Sequence, residues 1–309
     1  MNIFTEKIEM SDGQLSARHC WIPEGELKAI VYLSHGMNEY TKRYEEFAQF
    51  LGYKQIAFIG HDHRGHGDTA ESTVNLGFIA EKHGFIRAML DLKEHIQQIR
   101  NAYPNTKIIL LAHSFGSFVG QYFVENHGNL IDGCIYSGTA GPRPGLGTFI
   151  KIMTSIFAAI HGKKHPSKLL YKLAFGSYNN KVPHKKTAMD WLTNDEKEVA
   201  RYLANPFCAF LPSVQFYHDL GEGLSLIHKK NNIRQIPKEL EILFLTGLQD
   251  PVGSYGKTVD KLIQCYQKEN ITKVTVKNYP EGRHEMLNEL NKKEVYQELY
   301  NWIQEHILA

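Results

Sequence analysis

The sequence lacks most of the marks of a special class. Its four cysteines, Cys20, Cys134, Cys208 and Cys265, include no C-x-x-C pair. That spacing argues against a zinc site and a disulfide framework, and it points to free thiols in a reducing compartment. No uninterrupted apolar run reaches the roughly 18 residues of a membrane-crossing helix. The opening stretch, MNIFTEKIEMSDGQ, has no apolar core of a signal peptide, so a cytoplasmic protein is expected, with peripheral membrane contact left open. There is no internal repeat and no low-complexity tract. Neither sign of charge dominates, with 35 Lys and Arg against 33 Asp and Glu in 309 residues. With 42% hydrophobic residues, disordered and collagen-like classes are excluded.

The near-zero charge hides a division. Residues 141–236 hold 14 Lys and Arg against 6 Asp and Glu, a net of +8. The remainder holds 21 basic and 27 acidic residues, a net of −6. A solvated lysine-rich insertion would explain this. So would a basic surface that meets anionic lipid or an anionic substrate.

What is present is a rhythm. Short apolar runs at Ala29–Leu33, Gln55–Ile59, Lys107–Leu111, Gly133–Tyr136, Glu241–Leu245 and Lys273–Val276 suit strands covered on both faces. Between them Phe85, Met89, Leu92, Ile96 and Ile99 recur at helical spacing, as do Val259, Leu262 and Tyr266, then Val295, Leu299, Trp302 and Ile303. The alternation predicts a mostly parallel, doubly wound α/β sheet. Asp12-Gly13 between two alternating stretches predicts an antiparallel hairpin at its N-terminal edge. The rhythm stops at Gly138–Pro142 and resumes near Pro237, so a helical insertion follows the sixth strand. We expect a core of residues 1–139 and 226–309 and an inserted cap of 140–225. The most apolar part of the insertion is Phe149–Ile160, too short to span a membrane but long enough to line a pocket or touch one, with ordinary packing the simplest expectation for each side chain.

One turn carries chemistry. After Lys107–Leu111 comes Ala112-His113-Ser114-Phe115-Gly116, and then a helical segment. A serine between small residues on a strand-to-helix turn is a nucleophile elbow. The turn lifts the hydroxyl above the sheet, and the helix start places N–H groups beside the atom that becomes negative. Gly116 and Gly120 would let that helix lie close to the sheet. A serine there can equally be a simple N-cap, so partners must decide. The serine needs a base and a group that orients it, in the chain order Ser, acid, His after successive strands. Asp250 follows one strand and His284 the next. Asp219 and Glu285 are rival acids, the first placed before its strand and the second adjoining the histidine. The Phe115 N–H is one expected oxyanion donor. The Met37 N–H, in the loop Leu33–Tyr40 after the third strand, is the other.

Three blocks resemble α/β-hydrolases of the monoacylglycerol lipase and bacterial lysophospholipase group, which is classed with serine aminopeptidases. They are His35-Gly36-Met37-Asn38-Glu39-Tyr40 with Arg43-Tyr44, then Asp62–Gly67, then Gly282–Glu289. In the insertion, Trp191–Asp195 and Asn205–Cys208 are similar to bacterial members. Two positions depart from the group: Tyr40 stands in place of His, and Ala112–Ser117 reads AHSFGS in place of GHSMGG. The resemblance puts both near the acyl site, where they bear on substrate preference. It also implies a cap over the active site, an apolar entrance for an acyl chain, and hydrolysis through an acyl-enzyme on Ser114. The expected substrate is a small amphiphilic acyl ester, a lysophospholipid or monoacylglycerol, with no cofactor.

Other signals are weaker. The segment His61-Asp62-His63-Arg64-Gly65-His66 superficially suggests a metal site, but an arginine beside a bound cation is unfavourable. Asp62 and Arg64 are better suited to tying their loop down. Gly65-His66-Gly67-Asp68 lacks the ending of a phosphate loop. The clusters Lys163-Lys164-His165 and His184-Lys185-Lys186 have no interleaved aromatic platform, so no nucleic-acid partner is expected. Three further readings stand beside the lipid hydrolase. A general carboxylesterase or an aminopeptidase would share the fold, though the basic insertion offers few carboxylates to hold a free amine. A non-catalytic binding homologue would typically lack one of Ser114, Asp250 and His284. An aspartate-nucleophile enzyme would hold Asp in the elbow.

Overall fold

The computed structural model describes residues 1–309. The N-terminal half runs β1 Asn2–Glu9, β2 Leu15–Ile22, β3 Ala29–Ser34, α1 Glu45–Gly52, β4 Ile56–His61, α2 Gly84–Ala102, β5 Lys107–His113, α3 Phe115–His127 and β6 Gly133–Ser137. The connection from β6 to β7 is helical: α4 Leu146–His161, α5 Lys168–Phe175, α6 Glu196–Ala204, α7 Val214–Leu226 and α8 Lys230–Ile233. The chain then forms β7 Glu241–Gly247, α9 Lys257–Lys268, β8 Val274–Tyr279 and α10 Lys292–His306.

The eight strands make one sheet in the order β1-β2-β4-β3-β5-β6-β7-β8. β1 pairs antiparallel with β2, and β2 with β4; every other pairing is parallel. The doubly wound sheet with an antiparallel N-terminal edge and helices inserted after the sixth strand is therefore present. The apolar runs look continuous because successive side chains serve opposite faces. Ile30, Tyr32, Ile108, Leu110 and Phe244 join the apolar cluster beneath α2, α3 and α9. Their neighbours Val31, Leu33, Ile109, Leu111 and Leu243 join the cluster beneath α1 and α10. The helical repeats read in the sequence are the buried stripes of α2, α9 and α10.

Three details differ from the sequence pattern. β2 is buried at six successive positions rather than alternating, because it lies between β1 and β4 inside the sheet. β8 extends to Tyr279 through Lys277 and Asn278; as an edge strand it exposes these polar side chains while its backbone pairs with β7. The third concerns α4. Phe149, Ile152, Ile156 and Ile160, expected to pack, are 60%, 59%, 57% and 70% exposed. Spaced at helical intervals, they form one ridge, and Leu169 and Leu173 on α5 are exposed as well; Phe149 and Leu173 also reach the cavity at Ser114. No helix is long and apolar enough to cross a membrane.

β3 is hydrogen-bonded to β4 on one side and β5 on the other, so the chain leaves it in two directions. Loops at the carboxyl ends of such strands diverge and leave a crevice where ligands bind. Ser34 stands opposite Ala112, and His113 opposite Ser137. The loops after β3, β5 and β6 thus emerge together.

Candidate active site

Ser114 occupies the turn between β5 and α3 with φ 52° and ψ −121°, a sparsely populated conformation for a residue with a side chain. The turn is held from below by the Ser114 N–H donating to the Ser137 carbonyl at 3.0 Å. The helix beyond it presses on the sheet. A Cβ on Gly116 would come within 2.1 Å of the Ser34 carbonyl oxygen, and one on Gly120 within 2.8 Å of Ala112 Cβ. The small residues read in the sequence are therefore a steric requirement of the elbow.

The second arm is built by the loops after β7 and β8. Leu248 N–H donates to the Tyr279 carbonyl and Gln249 N–H to the Gly282 carbonyl, both at 2.9 Å. This pairing carries Asp250 to His284, whose Nδ1 lies 2.9 Å from Asp250 Oδ2. The other carboxylate oxygen accepts the Val252 N–H at 2.8 Å. Both side chains are 2% exposed. Burial lowers the basicity of His284, but Asp250, with smaller help from Glu285 and Glu39, outweighs it and raises the pKa above the usual histidine value. The ring is flanked by His113 and Trp191, with centroids 4.8 and 4.9 Å away. Gly138, at φ +57°, leaves room for it: a Cβ there would lie 2.8 Å from His284 Cε1.

The rival acids have other partners. Asp219 lies on α7, accepting from Gly84 N–H and the Gln215 side chain. Glu285 is gripped by Arg43 at 2.7 and 2.8 Å. Burial would raise the Glu285 pKa, but the Arg43 guanidinium holds it down at about 2.

Met37 follows β3 in a loop fixed by its neighbours. His63 N–H donates to His35 Nε2 at 2.9 Å, so the proton is assigned to Nδ1, which donates to the Gly36 carbonyl at 2.8 Å. Burial pushes the His35 pKa down, consistent with this neutral tautomer. Gly36 N–H donates to Glu39, and Arg43 joins Glu39 to Glu285. Arg43 thus links the Met37 loop to the loop of His284. The motif HGMNEY with Arg43 contained these residues, but one-dimensional spacing gives no sign that Arg43 meets Glu285, 242 positions away.

Met37, Ser114 and Phe115 all line a cavity of about 400 Å³ whose remaining wall comes mostly from the β6–β7 helices. Nineteen of its 25 lining residues are hydrophobic, and none is Asp or Glu. Tyr40 is not among them. Its hydroxyl accepts from Asn205 Nδ2 at 2.7 Å beside a separate polar recess, so this departure from the lipase pattern ties the loop to the insertion.

The histidines of the 61–66 segment do not converge on one point. His61 pairs with the Tyr32 hydroxyl, His63 with Ser34 and His66 with the Arg64 carbonyl. Asp62 accepts the N–H groups of Thr41 and Asp68, while Arg64 holds Asp12 and Asp91. Both tie their loop down, as the sequence suggests. His19, Asp62 and Asp68 do gather in metal-like proximity. There Asp62 is already hydrogen-bonded to His19, and Lys42 sits 2.7 Å from Asp68, supplying the positive charge.

A family model described as serine aminopeptidase, S33, matches residues 25–291. Human monoglyceride lipase is 26% identical over 294 residues, 91% of this chain and 87% of the relative. The monoacylglycerol lipase of Mycolicibacterium smegmatis is 26% identical over 297 residues, 93% and 92% of the two chains. The structure of a thermostable carboxyl esterase from Bacillus coagulans, in complex with glycerol, superposes with a TM-score of 0.90 at 24% identity, covering 100% of both chains. With the match spanning most of its length and the strand order and elbow in place, the chain belongs to the serine aminopeptidase S33 family of α/β-hydrolases.

Proposed function

We propose that the protein is a serine carboxylester hydrolase of single-acyl lipids, lysophospholipids or monoacylglycerols, acylated at Ser114. The observation that carries this reading is the apolar cavity with Ser114 and Trp191 in its wall, Trp191 packing in turn against the ring of His284 in the buried His284–Asp250 pair. His284 Nε2 takes the serine proton as Oγ attacks the ester carbonyl. The oxyanion is received by the N–H groups of Met37 and Phe115. The intermediate collapses, and His284 returns the proton to the departing alcohol. Water, deprotonated by the same imidazole, then attacks the acyl-enzyme and releases the fatty acid. Asp250 holds the ring in the working tautomer and stabilises its charged form.

Residues 140–225 act in this reading as a cap whose inner face receives the acyl chain. The names of the human and mycobacterial relatives agree with a lipid substrate. The exposed apolar side chains of α4 and α5, with Lys168 and Lys172 beside them on α5, would meet an anionic membrane surface. An aminopeptidase needs a carboxylate to hold its substrate amine, and none lines the cavity. Hydrolysis of p-nitrophenyl esters of increasing length tests the proposal. Activity should rise from acetyl to octanoyl and longer; a preference for acetyl would sink the lipid reading.

A further inference from the structure

The cavity at Ser114 holds a single full charge. Arg143, six residues beyond the end of β6, is its only lining side chain that is ionised near neutrality. His228, Tyr178 and Tyr217 also line it, and burial keeps them neutral: it holds His228 down at about 4, pushes Tyr178 up to about 12 and raises Tyr217 as well.

Arg143 is also unusual among the arginines. Seven of the nine, Arg18, Arg43, Arg64, Arg87, Arg100, Arg201 and Arg234, form ion pairs. Arg283 is buried and donates to the Asp190 and Thr193 carbonyls. Arg143 has no carboxylate within ion-pair distance. One terminal nitrogen, Nη2, donates to the Val252 carbonyl at 2.5 Å and Ser254 Oγ at 2.8 Å, while Nε and Nη1 have no protein acceptor. A charge beside apolar surface is costly unless it is paired, so the vacant donors favour an incoming anion. Its position suits a substrate contact, because the Val252 N–H donates in turn to Asp250. A second cation without an acid partner, Lys181, sits 3.7 Å from the ring centroid of Tyr255, the residue after Ser254. Arg143 and Lys181 thus each contact the short turn Val252–Tyr255, Lys181 from outside the cavity lining.

A guanidinium fork matches phosphate oxygens and fixes their orientation, as a lone ammonium does not. We propose that Arg143 anchors the head-group phosphate of a lysophospholipid through Nε and Nη1 while the acyl chain fills the apolar part of the cavity. With no Asp or Glu in the lining to receive a choline or ethanolamine cation, the favoured substrate is an anionic one such as lysophosphatidylglycerol. This rests on the esterase reading above and selects one of its two lipid classes. The carboxylate of the released fatty acid offers the same anion chemistry from a second source.

The test compares chain-matched lysophosphatidylglycerol and monoacylglycerol in nonionic micelles, using wild-type protein, Arg143→Gln and Arg143→Lys. Wild type should prefer lysophosphatidylglycerol. Arg143→Gln should lower kcat/KM for it by about tenfold to a hundredfold, mainly through KM, while monoacylglycerol changes less than about threefold. Arg143→Lys should fall between. Equal losses on both lipids would make Arg143 a brace for the Asp250 loop and overturn the proposal. So would an unchanged substrate ratio accompanied by relief of fatty-acid inhibition, which would assign the anion to the product. Calorimetry with Ser114→Ala protein and a non-hydrolysable lysophosphatidylglycerol ether separates binding from catalysis. Binding lost in Ser114→Ala/Arg143→Gln supports the anchor even if wild type cleaves neither lipid, in which case the esterase reading alone fails. Binding unaffected by Arg143→Gln overturns the anchor.

Discussion

The loops at the carboxyl ends of the strands and the helices joining β6 to β7 face each other across one cavity, yet they are built from opposite materials. The loops are buried, polar and tied together: Arg43 joins Glu39 to Glu285, Asp62 accepts two backbone N–H groups, and Asp250 holds His284. The helices are apolar toward the cavity and, along the ridge of α4, apolar toward solvent as well. The difference teaches a division of labour. A reacting centre requires positions held within a fraction of an ångström, which paired polar groups supply. An acyl chain requires only volume and dryness, which contact with many aliphatic and aromatic side chains supplies.

Breaking the polar side should abolish chemistry. Ser114→Ala should lower kcat by about a million-fold, with the thermal midpoint little changed. Asp250→Asn should cost about ten-thousand-fold, and its residual activity carries a sign. In the proposed mechanism neutral His284 is the base, so kcat/KM in wild type should fall as pH drops through a pKa raised above 6.5. Removing the Asp250 charge leaves burial dominant, so the acid limb of the pH profile should move to lower pH. A limb that stays in place would contradict the assignment of Asp250.

Arg43→Met should destabilise the fold by about 3–5 kcal/mol in urea titrations, because it strands two buried carboxylates. Glu285 ionises in the folded protein at about 2, below its ordinary 4.5. Its contribution is therefore present above about pH 4.5 and lost as pH falls toward 2, and the gap between variant and wild type should narrow over that range. A gap independent of pH would mean that Arg43 acts by packing alone.

The helical side should respond differently. Ile152→Ser with Ile156→Ser should change folding stability by less than about 1 kcal/mol, since both side chains already face solvent. Sedimentation with anionic vesicles should fall, and added salt should weaken the wild-type binding further. A large loss of stability would show that the ridge packs against something in the protein.

The sequence made the two sides legible to different degrees. Strand–helix alternation could be read, and Ser114, Asp250 and His284 proposed in that order, because the elbow and the strand-end loops impose local residue choices: small residues where Gly116 meets β3, and a turn before Pro251. The Arg43–Glu285 pair was hidden, since nothing local distinguishes a surface arginine from one that bridges two loops. The α4 stretch was only partly legible for the converse reason: its pattern favours packing over the pocket lining that Phe149, Ile150 and Met153 provide and over the exposure of Ile152, Ile156 and Ile160. Apolar residues at helical spacing look alike whether they face a core, a cavity or solvent, and only the position of α7 beneath α4 decides among these. Arg143 passed unnoticed within the basic balance of the insertion, because its significance lies in the absence of an acid beside it.

The central claim is that Ser114, activated by His284, is the nucleophile. Reaction of folded protein with a fluorophosphonate, followed by peptide mass spectrometry, tests it most directly. One stoichiometric adduct on Ser114, absent after unfolding and slowed strongly in His284→Ala, is the predicted result. No adduct, or an adduct on another residue at the same rate in His284→Ala, would contradict it.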